Sequence, residues 1–152
     1  MKNEVMYLEI KIEKLYPDVI IPTKAHSTDA CFDIYAHLDS PCVAIYPGQS
    51  VKINTGFRTE IPKGYYCDVY ARSGLGIKKG LRPSNCVGII DADYRGEWVV
   101  ALHNDSGEVQ RVSNGDRIAQ FAIKEVIPCE LIVSDTLSDS ERGEGGLGSS
   151  GK

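Results

Sequence analysis

The run Asn85-Cys86-Val87-Gly88-Ile89-Ile90-Asp91-Ala92-Asp93-Tyr94-Arg95-Gly96 leads an apolar stretch straight into acids, an aromatic ring and a guanidinium. Asp91 follows two β-branched residues, which places it at the lip of a core strand, held rigidly and partly desolvated. A carboxylate in that position can act as a general base on water or anchor a sugar hydroxyl. Tyr94 offers an aromatic face to a sugar or a base. The same run also reads as a plain hairpin whose Asp and Gly residues make the turn.

Three further segments carry chemistry-bearing residues. In Tyr70-Ala71-Arg72-Ser73-Gly74-Leu75-Gly76 a strand ends at an Arg and a Ser-Gly pair opens a short helix. Free N–H groups, a hydroxyl, a glycine that permits close approach and a guanidinium together make an anion site. An ordinary strand-to-turn connection is the alternative. In Gly115-Asp116-Arg117-Ile118-Ala119-Gln120-Phe121, Asp116 and Arg117 are expected to pair with each other. Gln120 lies two residues from Ile118 on the same strand face, where its amide either finds a partner or points into a site. The end of the chain, Gly146 to Lys152, fits the spacing G-x-x-x-x-G-K. A phosphate loop is rejected there, because no Ser or Thr follows the Lys and no strand–helix context surrounds it. A Gly/Ser segment with one Arg and one large apolar residue is either a loose end or a lid over a phosphorylated ligand.

The elements that position these groups repeat with a period of two. Met6, Leu8, Ile10 and Ile12 alternate with polar partners, predicting a half-buried strand. Further strands are expected at Cys42–Ile45, Val51–Asn54, Tyr65–Arg72, Glu97–His103 and Arg117–Val126. Turn residues separate them at Tyr46-Pro47-Gly48, Asn54-Thr55-Gly56, Ile61–Gly64, Asn104–Gly107 and Ser113–Asp116. One short helix fits, capped by Ser73, formed by Leu75 to Lys79 and ended by Gly80. Many short strands with frequent turns predict an all-β sandwich or jelly roll. A single domain over residues 1–133 is expected, followed by a mobile C-terminal arm over 134–152, where Ser, Asp, Glu and Gly take over.

The 152 residues are 42% hydrophobic and 25% charged, an ordinary globular balance. A net charge of -4 argues against a protein that coats nucleic acid or an anionic membrane, so any polyanion site must be local. The five cysteines (31, 42, 67, 86 and 129) stand singly, which disfavours a zinc site or a disulfide framework and suits reduced thiols in a cytoplasmic protein. No signal sequence or membrane-length apolar stretch is visible.

In order and spacing, these segments resemble the five motifs of the trimeric dUTPase family, from about Ala25 to the C-terminus. The first motif is Ser27-Thr28-Asp29-Ala30-Cys31-Phe32-Asp33-Ile34-Tyr35-Ala36, the second Arg72-Ser73-Gly74-Leu75 and the third Asn85 through Gly96. The fourth is Gly115 through Gln120, and the fifth Arg142-Gly143-Glu144-Gly145-Gly146-Leu147-Gly148-Ser149-Ser150-Gly151. The resemblance implies a homotrimer of distorted jelly rolls with active sites shared among subunits, and Mg²⁺-assisted hydrolysis of dUTP to dUMP and pyrophosphate. It makes Asp91 the base for the attacking water and a contact to the 3′-hydroxyl. It sets Tyr94 beneath the deoxyribose, and has Asn85 read uracil together with the backbone of Gly88 and Ile90. Arg72, Ser73, Gly74 and Gln120 would hold phosphates or the attacking water. Arg142, Ser149 and Ser150 would come from a neighbouring tail to the γ-phosphate, and Asp33 would help place Mg²⁺ through water.

Two positions depart from the family pattern. Cys31 stands where Gly is usual. Leu147 stands where the family carries a Phe that covers uracil, so weaker base binding or a looser lid is expected. The nearest rival in the same fold, dCTP deaminase, typically has a second Ser where this chain has Gly74. A catalytically idle, partner-directed protein on the same scaffold is the rival from another class, and the polar residues just named argue against it.

Overall fold

A computed structural model of the protein describes residues 7–146. Eleven strands and one helix make up the described chain. The strands are β1 (Lys11–Lys14), β2 (Phe32–Tyr35), β3 (Cys42–Ile45), β4 (Ser50–Asn54), β5 (Phe57–Glu60) and β6 (Tyr65–Tyr70), followed by the helix α1 (Ser73–Lys79). Then come β7 (Leu81–Pro83), β8 (Gly88–Ile90), β9 (Val99–Asn104), β10 (Gln110–Ser113) and β11 (Arg117–Glu125). Every pairing between strands is antiparallel. A four-stranded sheet runs in the order β2-β11-β6-β8, a three-stranded one β4-β9-β7, and two ribbons pair β1 with β5 and β10 with β3. No described helix is long and apolar enough to cross a membrane.

Alternation along the strands builds the core. Ile34, Cys67, Val69, Ala119 and Phe121 come from the four-stranded sheet, and Ile53, Leu81, Val100 and Leu102 from the three-stranded one. Trp98, only 1% exposed, joins the two. Its ring centroid lies 5.2 Å from that of Phe57 and, in a T-shaped pair, 5.0 Å from that of Phe121, while its Nε1 donates to Thr59 Oγ1 at 3.1 Å. Buried polar groups are satisfied as burial demands: Asn104 donates to the carbonyls of Ile45 and Glu108 and accepts from Ser106.

Several local expectations are corrected. The first strand begins only at Lys11, and Met6 lies outside the described residues. β1 is an edge strand paired only with β5, so Leu8, Ile10 and Ile12 line an open apolar groove with Phe32 and Phe121 and are not deeply buried. The helix starts at Ser73, with Arg72 as its cap residue and no side-chain capping bond. Gly80 ends it in the left-handed region at φ 65°, as the glycine predicts. The Asn85–Gly96 run is not a hairpin: β8 pairs with β6 and β9 with β4 and β7, so the chain crosses between sheets. Strands β2, β5, β7, β8 and β10 carry no strand assignment from the sequence: alternation is weak over three or four residues, and among strands that short only β1 and β3 are expected.

Candidate active site

Two clusters of the expected residues form, at different places on the chain. The first surrounds a cavity of about 290 Å³ lined by Asn85, Gly88, Ile89, Ile90, Asp91 and Tyr94 from the third motif, with Pro83, Val99 and Ala101 from the three-stranded sheet. β8 delivers Asp91 one residue past its end. The carboxylate is exposed, so the partial desolvation expected of it is not present within one chain. Tyr94 folds back so that its Oη donates to the Glu97 carbonyl at 2.9 Å. A β-carbon at Gly96 would meet that phenol, so a larger residue there would push the ring out of this position. Arg95 Nη1 donates to the Ala92 carbonyl at 2.7 Å and so stiffens the loop from inside. A β-carbon on Gly88 would lie 3.3 Å from Val69 Cβ and 3.5 Å from Asn85 Nδ2, so its absence lets β8 close against β6 beside the cavity.

The second cluster gathers the first, second and fourth motifs. Asp33 on β2 accepts from Arg72 Nε at 2.7 Å through one oxygen and from Arg117 Nη1 at 3.2 Å through the other. Arg117 therefore pairs with Asp33 and not with Asp116, whose carboxylate accepts from the Ser113 N–H at 2.8 Å and closes its own turn. Gln120 stands directly across from both Asp33 and Tyr70. Its Nε2 donates to the Ala71 carbonyl at 3.0 Å, which leaves the amide oxygen available as an acceptor. The register shifts between Arg117 and Ala119, so Ile118 and Ala119 are both buried and Gln120 takes the opposite phase from the one expected. Ser73 and Gly74 sit exposed at the helix start, and their N–H groups precede its first bond, from the Leu75 N–H to the Arg72 carbonyl at 3.0 Å.

A cavity of about 300 Å³ opens beside this cluster, lined by Arg72, Gly74, Lys79, Arg111, Asp116 and Arg117 among others. Lys79 and Arg111 have no role in the sequence reading, since isolated cations on strands and helices carry no spacing signal, and Arg117 has only that of a pair with Asp116. On the same sheet face Tyr70 Oη donates to Asp68 Oδ2 at 2.7 Å, and that bond pushes the phenol up to about 12. The two cavities share no lining residue. Arg142 Nε donates to the Gly145 carbonyl at 2.7 Å within its own turn. Leu147, Ser149 and Ser150 lie outside the described residues.

A family model described as dUTPase matches residues 18–151. The deoxyuridine 5'-triphosphate nucleotidohydrolase of Nautilia profundicola is 42% identical over 145 residues, covering 95% of this chain and 100% of the relative. Among solved structures, a mutant dUTPase of Staphylococcus bacteriophage 80alpha with dUpNHpp superposes with a TM-score of 0.82 at 28% identity, over 95% of this chain and 99% of that one. A mutant dUTPase from phage phi11 of S. aureus, which coordinates a structural Mg(II) ion, matches at 0.73 and 24% identity, over 84% of this chain and 97% of that one.

Proposed function

The chain belongs to the dUTPase family, and on that footing we propose that it hydrolyses dUTP to dUMP and pyrophosphate with Asp91 as the base. The observation that carries this reading is the first cavity, sized for a base and sugar, with a carboxylate and an aromatic ring on its rim. Asn85 and the backbone of Gly88 and Ile90 recognise uracil, and Tyr94 packs against the deoxyribose. Asp91 takes a proton from water as the water oxygen bonds to the α-phosphorus, and the bond to the bridging oxygen breaks to release pyrophosphate.

The triphosphate occupies the guanidinium-lined cavity against Arg72 and Gly74, and Ser73 and the Gln120 amide hold it from beside that cavity. Because the two clusters are separate on one chain, a complete site requires the second cluster of a neighbouring subunit, as a homotrimer with shared sites provides. The exposed apolar residues Ile127, Leu131, Ile132 and Val133, in a segment without regular structure that leads into the arm of residues 134–152, support exchange of that arm between subunits. Arg142, Leu147, Ser149 and Ser150 would then reach a neighbour's nucleotide.

The donor set fits Mg²⁺ carried by the nucleotide. Among the described residues no three His, Cys, Asp or Glu side chains gather as a cage, and both oxygens of Asp33 already serve guanidinium groups. Mg²⁺ typically keeps several waters and binds through phosphates and one or two carboxylates, so Asp33 would meet it through water. When bound, the ion would offset phosphate charge in the transition state. Removal of dUTP and supply of dUMP follow as the cellular role.

Pyrophosphate release from each deoxynucleoside triphosphate with Mg²⁺, for wild type and Asp91→Asn, tests the reading. We expect dUTP alone to be turned over, and the Asn variant to lose at least about a hundredfold in rate. Indifference to dUTP, ammonia release from dCTP, or near-full activity of the variant would overturn it.

A further inference from the structure

The turn that presents Asn85 to the first cavity has an unusual backbone. Cys86 has a φ of 65°, the sole positive value at a non-glycine among the described residues. A β-carbon is disfavoured there, so surrounding contacts must hold the conformation. Within the turn, the Cys86 N–H donates to the Pro83 carbonyl at 3.0 Å and the Val87 N–H to the Asn85 carbonyl at 2.7 Å. The first of these anchors the turn on β7, and the Ser84 N–H ties its start to β9 by donating to the Ala101 carbonyl at 2.7 Å.

Arg82 adds a side-chain brace to these backbone bonds. Its Nη1 donates to the Pro83 carbonyl at 3.2 Å, and lies at the longer distances of 3.5 Å from the Ser84 carbonyl and 3.8 Å from Cys86 Sγ. The other side of the guanidinium is fastened to Asp105, with Nε at 2.6 Å from one oxygen and Nη2 at 3.2 Å from the other. A planar fork can serve both sides at once, whereas an ammonium cannot. Across the strands, His103 lies between Ser50 and Arg82. Its Nδ1 meets Ser50 Oγ at 2.9 Å, and Ser50 Oγ in turn accepts from Ser84 Oγ at 3.0 Å. The turn is thus gripped at Pro83 and Ser84 from one row of side chains on the three-stranded sheet.

We propose that Arg82 is a positioning residue for base recognition: braced by Asp105, it holds the strained Ser84–Val87 turn so that Asn85 faces the nucleobase. This rests on the dUTP reading above for its kinetic consequence, but the clamp itself can be observed without substrate. Steady-state kinetics on dUTP should be compared for wild type, Arg82→Ala, Arg82→Lys, Cys86→Gly and the double variant Arg82→Ala/Cys86→Gly. For Arg82→Ala, KM should rise about tenfold, the scale of one lost charge-assisted bond, with kcat changed less than about twofold. Arg82→Lys should recover little of the loss. Adding Cys86→Gly removes the steric conflict at positive φ and should restore part of the affinity.

Amide exchange at Cys86 and Val87 should quicken in Arg82→Ala whether or not any nucleotide is turned over. An unchanged KM, a fall in kcat alone, or a double variant no better than Arg82→Ala would overturn the proposal. Unaltered amide exchange would do so too. If wild type fails on dUTP while those amides respond, the functional reading falls and the clamp stands.

Discussion

Asp33 is 12% exposed as a side chain and carries two guanidinium groups, so it organises the proposed phosphate side before any ligand arrives. Asp33→Asn keeps the shape and removes the charge. It should lower stability by about 1–3 kcal/mol in nucleotide-free unfolding and raise KM for dUTP. Cys67 is fully buried, and burial pushes its thiol up to about 12. A thiol reagent at neutral pH should therefore leave Cys67 unmodified until denaturant is added, while the exposed Cys86 reacts in the native protein. Leu147 belongs to the same scale: Leu147→Phe should lower KM for dUTP by giving uracil an aromatic cover, and an unchanged or raised value would sink that expectation. Residue types were the most legible level of this chain. Asp91, Tyr94 and Asn85 were singled out by sequence and line one cavity, but the partner of Arg117 was misassigned, because a neighbour in sequence is not a neighbour across a sheet.

The β1–β5 ribbon shows how elements respond to pH. Arg58 holds Glu13, and Lys11 holds Glu60, below the usual carboxylate value of 4.5 through side-chain hydrogen bonds. Carboxylates depressed in the folded state stabilise it above the unfolded value, and that contribution is lost as pH falls through the folded one. Amides of Lys11–Lys14 should therefore lose exchange protection first as pH drops below about 4.5, before the core strands do. The pairs are solvent-exposed, so raised salt should weaken the effect. Where the two sheets meet, Trp98→Ala should cost about 3–5 kcal/mol, measured by denaturant unfolding, because Phe57 and Phe121 would face a void. Long strands such as β11 and β6 were readable from alternation. The crossing of Asn85–Gly96 between sheets was not, since local composition is the same for a hairpin turn and a crossover loop.

At the scale of the molecule, the separation of the two cavities gives the shared-site proposal a direct test. Asp91→Asn and Arg72→Ala should each be inactive alone, as one damages the first cluster and the other the second. Unfolded together in equal amounts and refolded, they should recover about a quarter of wild-type activity, because random assembly pairs an intact Asp91 with an intact Arg72 at that frequency. No recovery would mean that each chain completes its own site.

Family membership, the β class and the identity of most proposed site residues were already legible along the chain. They depend on residue types in a fixed order, and order is a one-dimensional property. The grouping of Asp33, Arg72, Arg117 and Gln120 away from Asp91 and Tyr94 depended on pairing between strands far apart in sequence, as did the register shift that turned Gln120 toward Asp33 and Tyr70. So did the proposed clamp on the turn that carries Asn85, where Arg82 meets Asp105 from another strand's end. Those are consequences of which sheet each strand joins, and the free energy of that choice lies in the shared core around Trp98 and not in any local motif.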